Sequence, residues 1–388
     1  MTAATGETNI RPSNARSRGA VPDHRGSWLP SGRMIAARWY ELRKRRGLML
    51  LLAGVTVGLP TVYLAIRLVL HAVAPHTYGP AGGYDGYVNL VAGVLYVFGF
   101  IVAATLGATA GSVDLTEGMF RHHVITGRSR LALYLARIPA GLGIILPLMA
   151  IGFTIVCAVS VFAAPSTLDY NGARVPAQLS RAELVHWATD HPNEVVNNFP
   201  LRINPGDLPN TACLPGPSGP DGRGAKAFPG STTGPCTTAQ LRALAVNVAN
   251  ESYDDYSRHF LSPSISLMVK SGLWIGLEAV VAFLIGLGLA SLLGQRTVAV
   301  VLMIVLELIL TPLAVRAHLP HLMNLQRAVI GAATAHVEPG GLPRPFGGSQ
   351  TEQVLALHEP TGVAIVVIIA WIVVWTGLGA WRMSTRDA

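Results

Sequence analysis

Six stretches of about 20 residues, each almost free of charge, limit what this chain can fold into more than any other feature. They run near 48–70, 88–111, 138–164, 266–293, 297–317 and 362–381. A helix rising 1.5 Å per residue needs roughly 20 apolar residues to cross a 30 Å hydrocarbon layer, and each stretch meets that length. Their apolar residues are continuous rather than alternating, which excludes a transmembrane β-barrel. Composition agrees, with 51% hydrophobic and 13% charged residues, where a soluble domain carries roughly 25% charge. A soluble core could not absorb that much apolar surface. The expectation is an all-α polytopic membrane protein with six transmembrane helices, the fourth and fifth joined by a short turn at Gly294, Gln295 and Arg296.

Loop charge sets the expected orientation. The link between the first two spans, 71–87, has no Lys or Arg, whereas the next link carries Arg121, Arg128, Arg130 and Arg137, so the latter should face the cytoplasm. Both termini are then cytoplasmic. The expected organisation is a disordered cytoplasmic tail over 1–30, an amphipathic interfacial helix over 31–47, and spans one to three over 48–164 with a cytoplasmic loop at 112–137. An extracellular cap over 165–265 follows, then spans four to six over 266–388 with an outer loop at 318–361 and a short tail. The first apolar run begins near Leu48, too late for a cleavable signal peptide, and is expected to stay as an anchor. In 31–46, Met34, Ile35, Trp39 and Leu42 are spaced among cations, as on a helix lying against an anionic lipid surface. The net charge of +8 follows from such loops and tails, and no nucleic-acid partner is expected.

The long loop is too long for a linker, and Leu179–Trp187 and Ala239–Ser257 show helical spacing of apolar residues. Between them, a Pro- and Gly-rich stretch is bounded by Cys213 and Cys236. On an oxidising face, a disulfide closing it would contribute about 3 kcal/mol. Cys157, inside the third span, reads as packing. Phosphate-loop, serine-elbow and HExxH motifs are missing from the sequence, so neither nucleotide binding by such a loop nor catalysis by the chain itself is expected. His318 with His321, and His122 with His123, lack a third ligand at metal spacing, and no metal site is expected.

Two carboxylates stand inside spans: Glu278 in the fourth and Glu307 in the fifth. Charge at mid-bilayer costs about 2.5–3.5 kcal/mol on insertion scales, so each needs protein or water around it. Lys270 and Arg67 are the nearest candidate cations by sequence. The pair is open to two readings, as the polar lining of a transport path or as an interhelical contact. The ladder Gly99, Ala103, Gly107, Gly111, together with Gly276, Gly286 and Gly288, permits close helix approach, either within the chain or against a second subunit.

The most informative segment is 111–142, GSVDLTEGMFRHHVITGRSRLALYLARIPAGL. An acidic residue, Asp114, follows the second span. Gly118 comes four positions later, then a short apolar stretch, a turn, Ser129–Arg130, and a helix with Arg137 near its start. This pattern resembles the type-2 ATP-binding-cassette (ABC) permeases. Met119 stands where Thr is common and Gly127 where Pro is common. The chain's ending, Trp381 to Asp387, looks like the family's last span and basic tail. The resemblance implies the membrane subunit of an ABC exporter in a bacterial plasma membrane, coupled to a separate ABC ATPase that carries the ATP and Mg. It also implies pairing into a permease homodimer or heterodimer. The expected coupling residues are Asp114, Glu117, Gly118, Arg121, Ser129, Arg130 and Arg137, the cargo amphipathic, drug-like or lipid-like. A tethered polar helix gives an external motor something to push, where a floppy link would transmit little. The alternative is a membrane-bound enzyme or sensor acting through its outer loop on cell-envelope substrates.

Overall fold

A computed structural model describes residues 29–74, 78, 81–116, 129–164, 167–170, 173–199, 237–316, 323–339, 342 and 360–385. Six helices are long and apolar enough to cross a membrane: Arg46–Val73, Gly86–Val113, Arg130–Phe162, Ile265–Leu293, Arg296–Leu313 and Thr361–Thr385, here spans 1 to 6. Ahead of them lies α1 (Gly32–Lys44), separated from span 1 by Arg45, whose ψ of 77° breaks the helix. The segment 31–47 thus holds a helix, Gly32–Lys44, that is separate from span 1. Span 3 starts well before position 138. The segment Arg130–Leu135, which follows Ser129 as the first turns of that span, is helical and buries Ala132, Leu133 and Tyr134. It contains no Gly or Pro to interrupt a helix.

Spans 2 and 4 form the centre. In span 4, 78% of the apolar window is buried, against 17% in span 6. Glycine makes this close packing possible. A Cβ on Gly107 would lie 2.1 Å from the Phe283 carbonyl oxygen, and one on Gly286 would lie 2.6 Å from that of Ala104. Gly288 meets the Trp375 carbonyl of span 6 in the same way. The small-residue ladder therefore serves packing inside the chain at these positions. Exposed apolar side chains such as Ile66, Val69, Leu302, Val366 and Val373 cover the outer faces of spans 1, 5 and 6, where lipid can meet them. Span 4 stops at Gly294, which takes a left-handed φ of 73° and lets span 5 double back.

Three spans are locally widened into π-helix, at Gly54–Gly58, Asn89–Tyr96 and Leu306–Leu310. The cause is visible in span 1. Pro60 has no N–H to give the Thr56 carbonyl, the Leu59 N–H bonds five residues back to Gly54, and Gly152 of span 3 packs directly on the Thr56 oxygen.

At one end of the bundle, which we call the top, sits a small cap. It comprises a hairpin of β1 (Thr167–Tyr170) and β2 (Ala173–Pro176), then α2 (Arg181–Asp190), α3 (Pro192–Asn198), α4 (Thr238–Glu251) and α5 (Tyr253–Phe260). Its own core includes Leu184, Ala188, Val195, Leu244, Val248 and Tyr256. Capping boxes at Ser180–Glu183 and Thr237–Gln240 start α2 and α4. Cap and bundle meet where the Tyr84 N–H donates to the Leu261 carbonyl.

Between spans 5 and 6 the described residues carry α6 (Met323–Arg327) and α7 (Ile330–His336), and Ile330 to Thr334 are buried. Trp274 of span 4 donates its indole N–H to the Thr334 carbonyl at 3.1 Å, and Trp371 of span 6 donates to that of Ala328 at 2.7 Å. The apolar run Ala328–Ala335 is too short to register as a span, yet its central residues Ile330–Thr334 are buried.

Candidate functional site

Two groups of polar residues converge, one at the base of the bundle and one in its middle. At the base, α1 lies along the start of span 3: Met34 and Ile35 pack on Ala132, Leu133 and Ala136. Arg38 of α1 is buried and donates to Glu41 at 2.7 Å. A narrow cleft lined by Arg38, Glu41, Leu42, Ala110, Val113 and Arg137 joins α1 to spans 2 and 3. On the outer face of α1, the Arg43 guanidinium lies over the Trp39 ring, 5.1 Å from its centroid.

Three of the expected coupling residues are described in full. Ser129 occupies the N-cap position of span 3 in extended conformation. Arg130 donates to the Ser384 carbonyl at the end of span 6, at 3.2 Å. Arg137 is only 2% exposed and donates to the Gly111 carbonyl of span 2 at 3.1 Å. Ser291 of span 4 donates to that same carbonyl at 3.3 Å. Arg137 is thus part of a knot between spans 2, 3 and 4. Asp114 lies in the last turns of the helix that ends at Thr116, its side chain outside the described residues, as are Glu117, Gly118 and Arg121. Cys213 and Cys236 are outside them too, and Cys157 is a free thiol.

In the middle of the bundle the structure brings Glu278 and Glu307 together, 2% and 1% exposed and close enough to interact electrostatically. The Tyr96 hydroxyl of span 2 donates to Glu307. The Thr311 hydroxyl, one turn beyond Glu307, donates to the Leu306 carbonyl at 3.1 Å and lies 3.5 Å from the other carboxylate oxygen of Glu307. The Trp274 ring stacks on Tyr96 at 4.9 Å with the planes 4° apart. Thr334 of α7, whose hydroxyl donates to the Gly331 carbonyl at 3.3 Å, and Glu338 just beyond it stand close enough to act on the Glu278 carboxylate. Glu278 Oε1 has no hydrogen-bond partner. Among the described residues, no salt bridge joins either carboxylate to Lys270 or Arg67, and Lys270 is exposed. Sequence spacing could have found Thr311, four residues from Glu307, and Trp274, four from Glu278. Nothing in the sequence ties Tyr96 or Thr334 to them.

Among the described residues, no group of three His, Cys, Asp or Glu side chains is arranged to hold a metal. Compared with protein-family models, curated proteins and solved structures, the chain finds no match.

Proposed function

We propose that this chain is the membrane-spanning permease subunit of an ATP-driven ABC exporter in a bacterial plasma membrane, forming the path for an amphipathic, drug-like or lipid-like cargo. Both termini and the base face the cytoplasm, and the cap faces out. Two such subunits work with two ABC ATPase subunits, which bind the ATP and Mg. The chain itself does no covalent chemistry.

The observation that carries this reading is how the segment 117–128 is anchored. On one side it leaves span 2, the most enclosed span after span 4. On the other it enters span 3 at Ser129–Arg130, where the first turns are held by α1 and by the end of span 6. A force applied to that segment is therefore delivered to α1 and to spans 2, 3 and 6 together. Such a linkage is what an external motor needs to shift a two-state bundle. The exposed cations of α1 suit an anionic inner leaflet. In the cap, pairing of Cys213 with Cys236 belongs to the same reading, and gel mobility sensitive to reductant in wild type but not in Cys213→Ser tests it.

The deciding experiment is a pulldown of the tagged chain from native vesicles. Recovery of a phosphate-loop ATPase, with its release in Arg130→Glu, is expected. Failure to recover any nucleotide hydrolase would overturn the assignment.

A further inference from the structure

The pair Glu278–Glu307 is enclosed too completely to line an open path, and its chemistry points to a much smaller ligand. Five elements supply what faces it: Tyr96 from span 2, Trp274 from span 4, Thr311 from span 5, Thr334 from α7, and Glu338 just beyond α7. Among the described residues, no salt bridge joins a cation to Glu278 or Glu307. Two ionised carboxylates within electrostatic reach of each other, out of water and without such a bridge, lose hydration and repel each other. Glu307 accepts from the Tyr96 hydroxyl, and the Thr311 hydroxyl, which donates to the Leu306 carbonyl at 3.1 Å, lies 3.5 Å from its other oxygen. By contrast, Glu278 Oε1 is buried and meets no donor, so it gains nothing from bearing charge.

We propose that Glu278 and Glu307 together hold a proton in the centre of the bundle, making the pair an ion-binding site whose ligand is H⁺. The proton resides on Glu278, while Glu307 stays the hydrogen-bond acceptor of Tyr96. A metal cation fits the site poorly: among the described residues, no three His, Cys, Asp or Glu side chains, Glu338 included, are arranged to hold one. The site is closed by elements that can separate. Glu307 lies in the π-turn of span 5, Tyr96 ends that of span 2, and Thr334 belongs to the inserted helix α7. Irregular turns of this kind are places where a helix can shift register. Moving α7 away admits water to Glu278 and lets the proton leave, so proton occupancy reports whether the bundle is closed.

This inference needs the membrane bundle only and not an ATPase, so it stands or falls separately from the pulldown. The test is infrared spectroscopy of the full chain in phospholipid nanodiscs at neutral pH, reading the C=O stretch of a protonated carboxyl and its shift on exchange into D₂O. Wild type is expected to show that band, and Glu278→Gln to lose it while remaining monodisperse and helical. Glu338→Gln should retain it. If Glu278→Gln does not fold, Glu278→Asp replaces it, and a displaced band is then expected. A folded wild type without the band, or a band unmoved by change at Glu278, would overturn the proposal.

Discussion

The phenolic hydroxyl of Tyr96 donates a hydrogen bond to the carboxylate of Glu307, although the two residues stand 211 positions apart in the chain. This contact ties span 2 to span 5 at a point where both are locally widened to π-helix. It also keeps the Tyr96 ring parallel to Trp274, whose own N–H is committed to α7.

Tyr96→Phe removes the donor and keeps the ring. Interhelical hydrogen bonds in membrane bundles average about 0.6 kcal/mol, whereas leaving a buried acceptor unsatisfied costs about 1–3 kcal/mol. Thr311 can turn its hydroxyl from the Leu306 carbonyl to Glu307, so a loss of about 1 kcal/mol is expected. Reversible unfolding in mixed micelles measures it. Unchanged stability would mean that the hydroxyl bond makes no net contribution.

The contact between spans 2 and 4 predicts opposite outcomes for two glycines. In Gly107→Ala the new Cβ lands against the Phe283 carbonyl, a backbone atom that cannot rotate away. Forcing the helices apart should cost about 2–3 kcal/mol. Around Gly276 nothing lies within 4 Å of an added Cβ, so Gly276→Ala should be neutral or should stabilise by up to about 1 kcal/mol through helix propensity. Thermal midpoints of the two variants in one detergent give the comparison, and a Gly107→Ala protein as stable as wild type would contradict the packing.

At the base, Arg137 and Ser291 both donate to the carbonyl of Gly111, which makes them energetically dependent. Arg137→Met keeps the length of the side chain and should lose about 1–3 kcal/mol, since the charged donor to a buried acceptor is gone. Ser291→Ala should lose about 1 kcal/mol or less. Each single variant keeps one side-chain donor to that oxygen, and the double variant keeps neither. The combined loss should therefore exceed the sum of the single losses by about 0.5 kcal/mol or more. A double-mutant cycle read by unfolding in detergent checks this, and strict additivity would show that the two donors act separately.

The features legible in the sequence were those set by local pattern. Length and apolarity placed five of the six spans within about four residues at each end and missed the first turns of the third, the cations before Leu48 marked a separate helix, and apolar spacing found helices of the cap. What stayed hidden depended on contacts between distant segments. The run Ala328–Ala335 is apolar but shorter than a span, so length alone assigned it to a loop. Its burial becomes apparent only once Thr311, Trp274 and Trp371 are set around it. Likewise, Glu278 and Glu307 were each recognisable as costly intramembrane charges. Pairing with Lys270 was the natural expectation on one helix, yet the face that carries Glu278 turns inward while Lys270 is exposed. The glycine ladder could not choose between self and partner, because spacing records how closely a helix can be approached and not by which neighbour.

In the cap, Tyr256 fastens the hairpin to the helices. Its hydroxyl donates to the Pro176 carbonyl at 2.6 Å and accepts from the Leu179 N–H at 3.0 Å. Burial is the main cause that pushes its pKa from 10.0 up to about 12. A group whose folded-state pKa is raised stabilises fully below its unfolded value, and that contribution disappears as pH rises towards the folded value. The cap should therefore hold its stability up to about pH 10 and weaken between there and about pH 12, as the phenolate loses its bond to Pro176. Tyr256→Phe should already lack both bonds at neutral pH, with a loss of about 1–2 kcal/mol. It should also show a flatter response across the alkaline range. Limited proteolysis of the cap, followed against pH in wild type and Tyr256→Phe, reads both effects. Parallel alkaline profiles for the two proteins would show that some other group governs the cap.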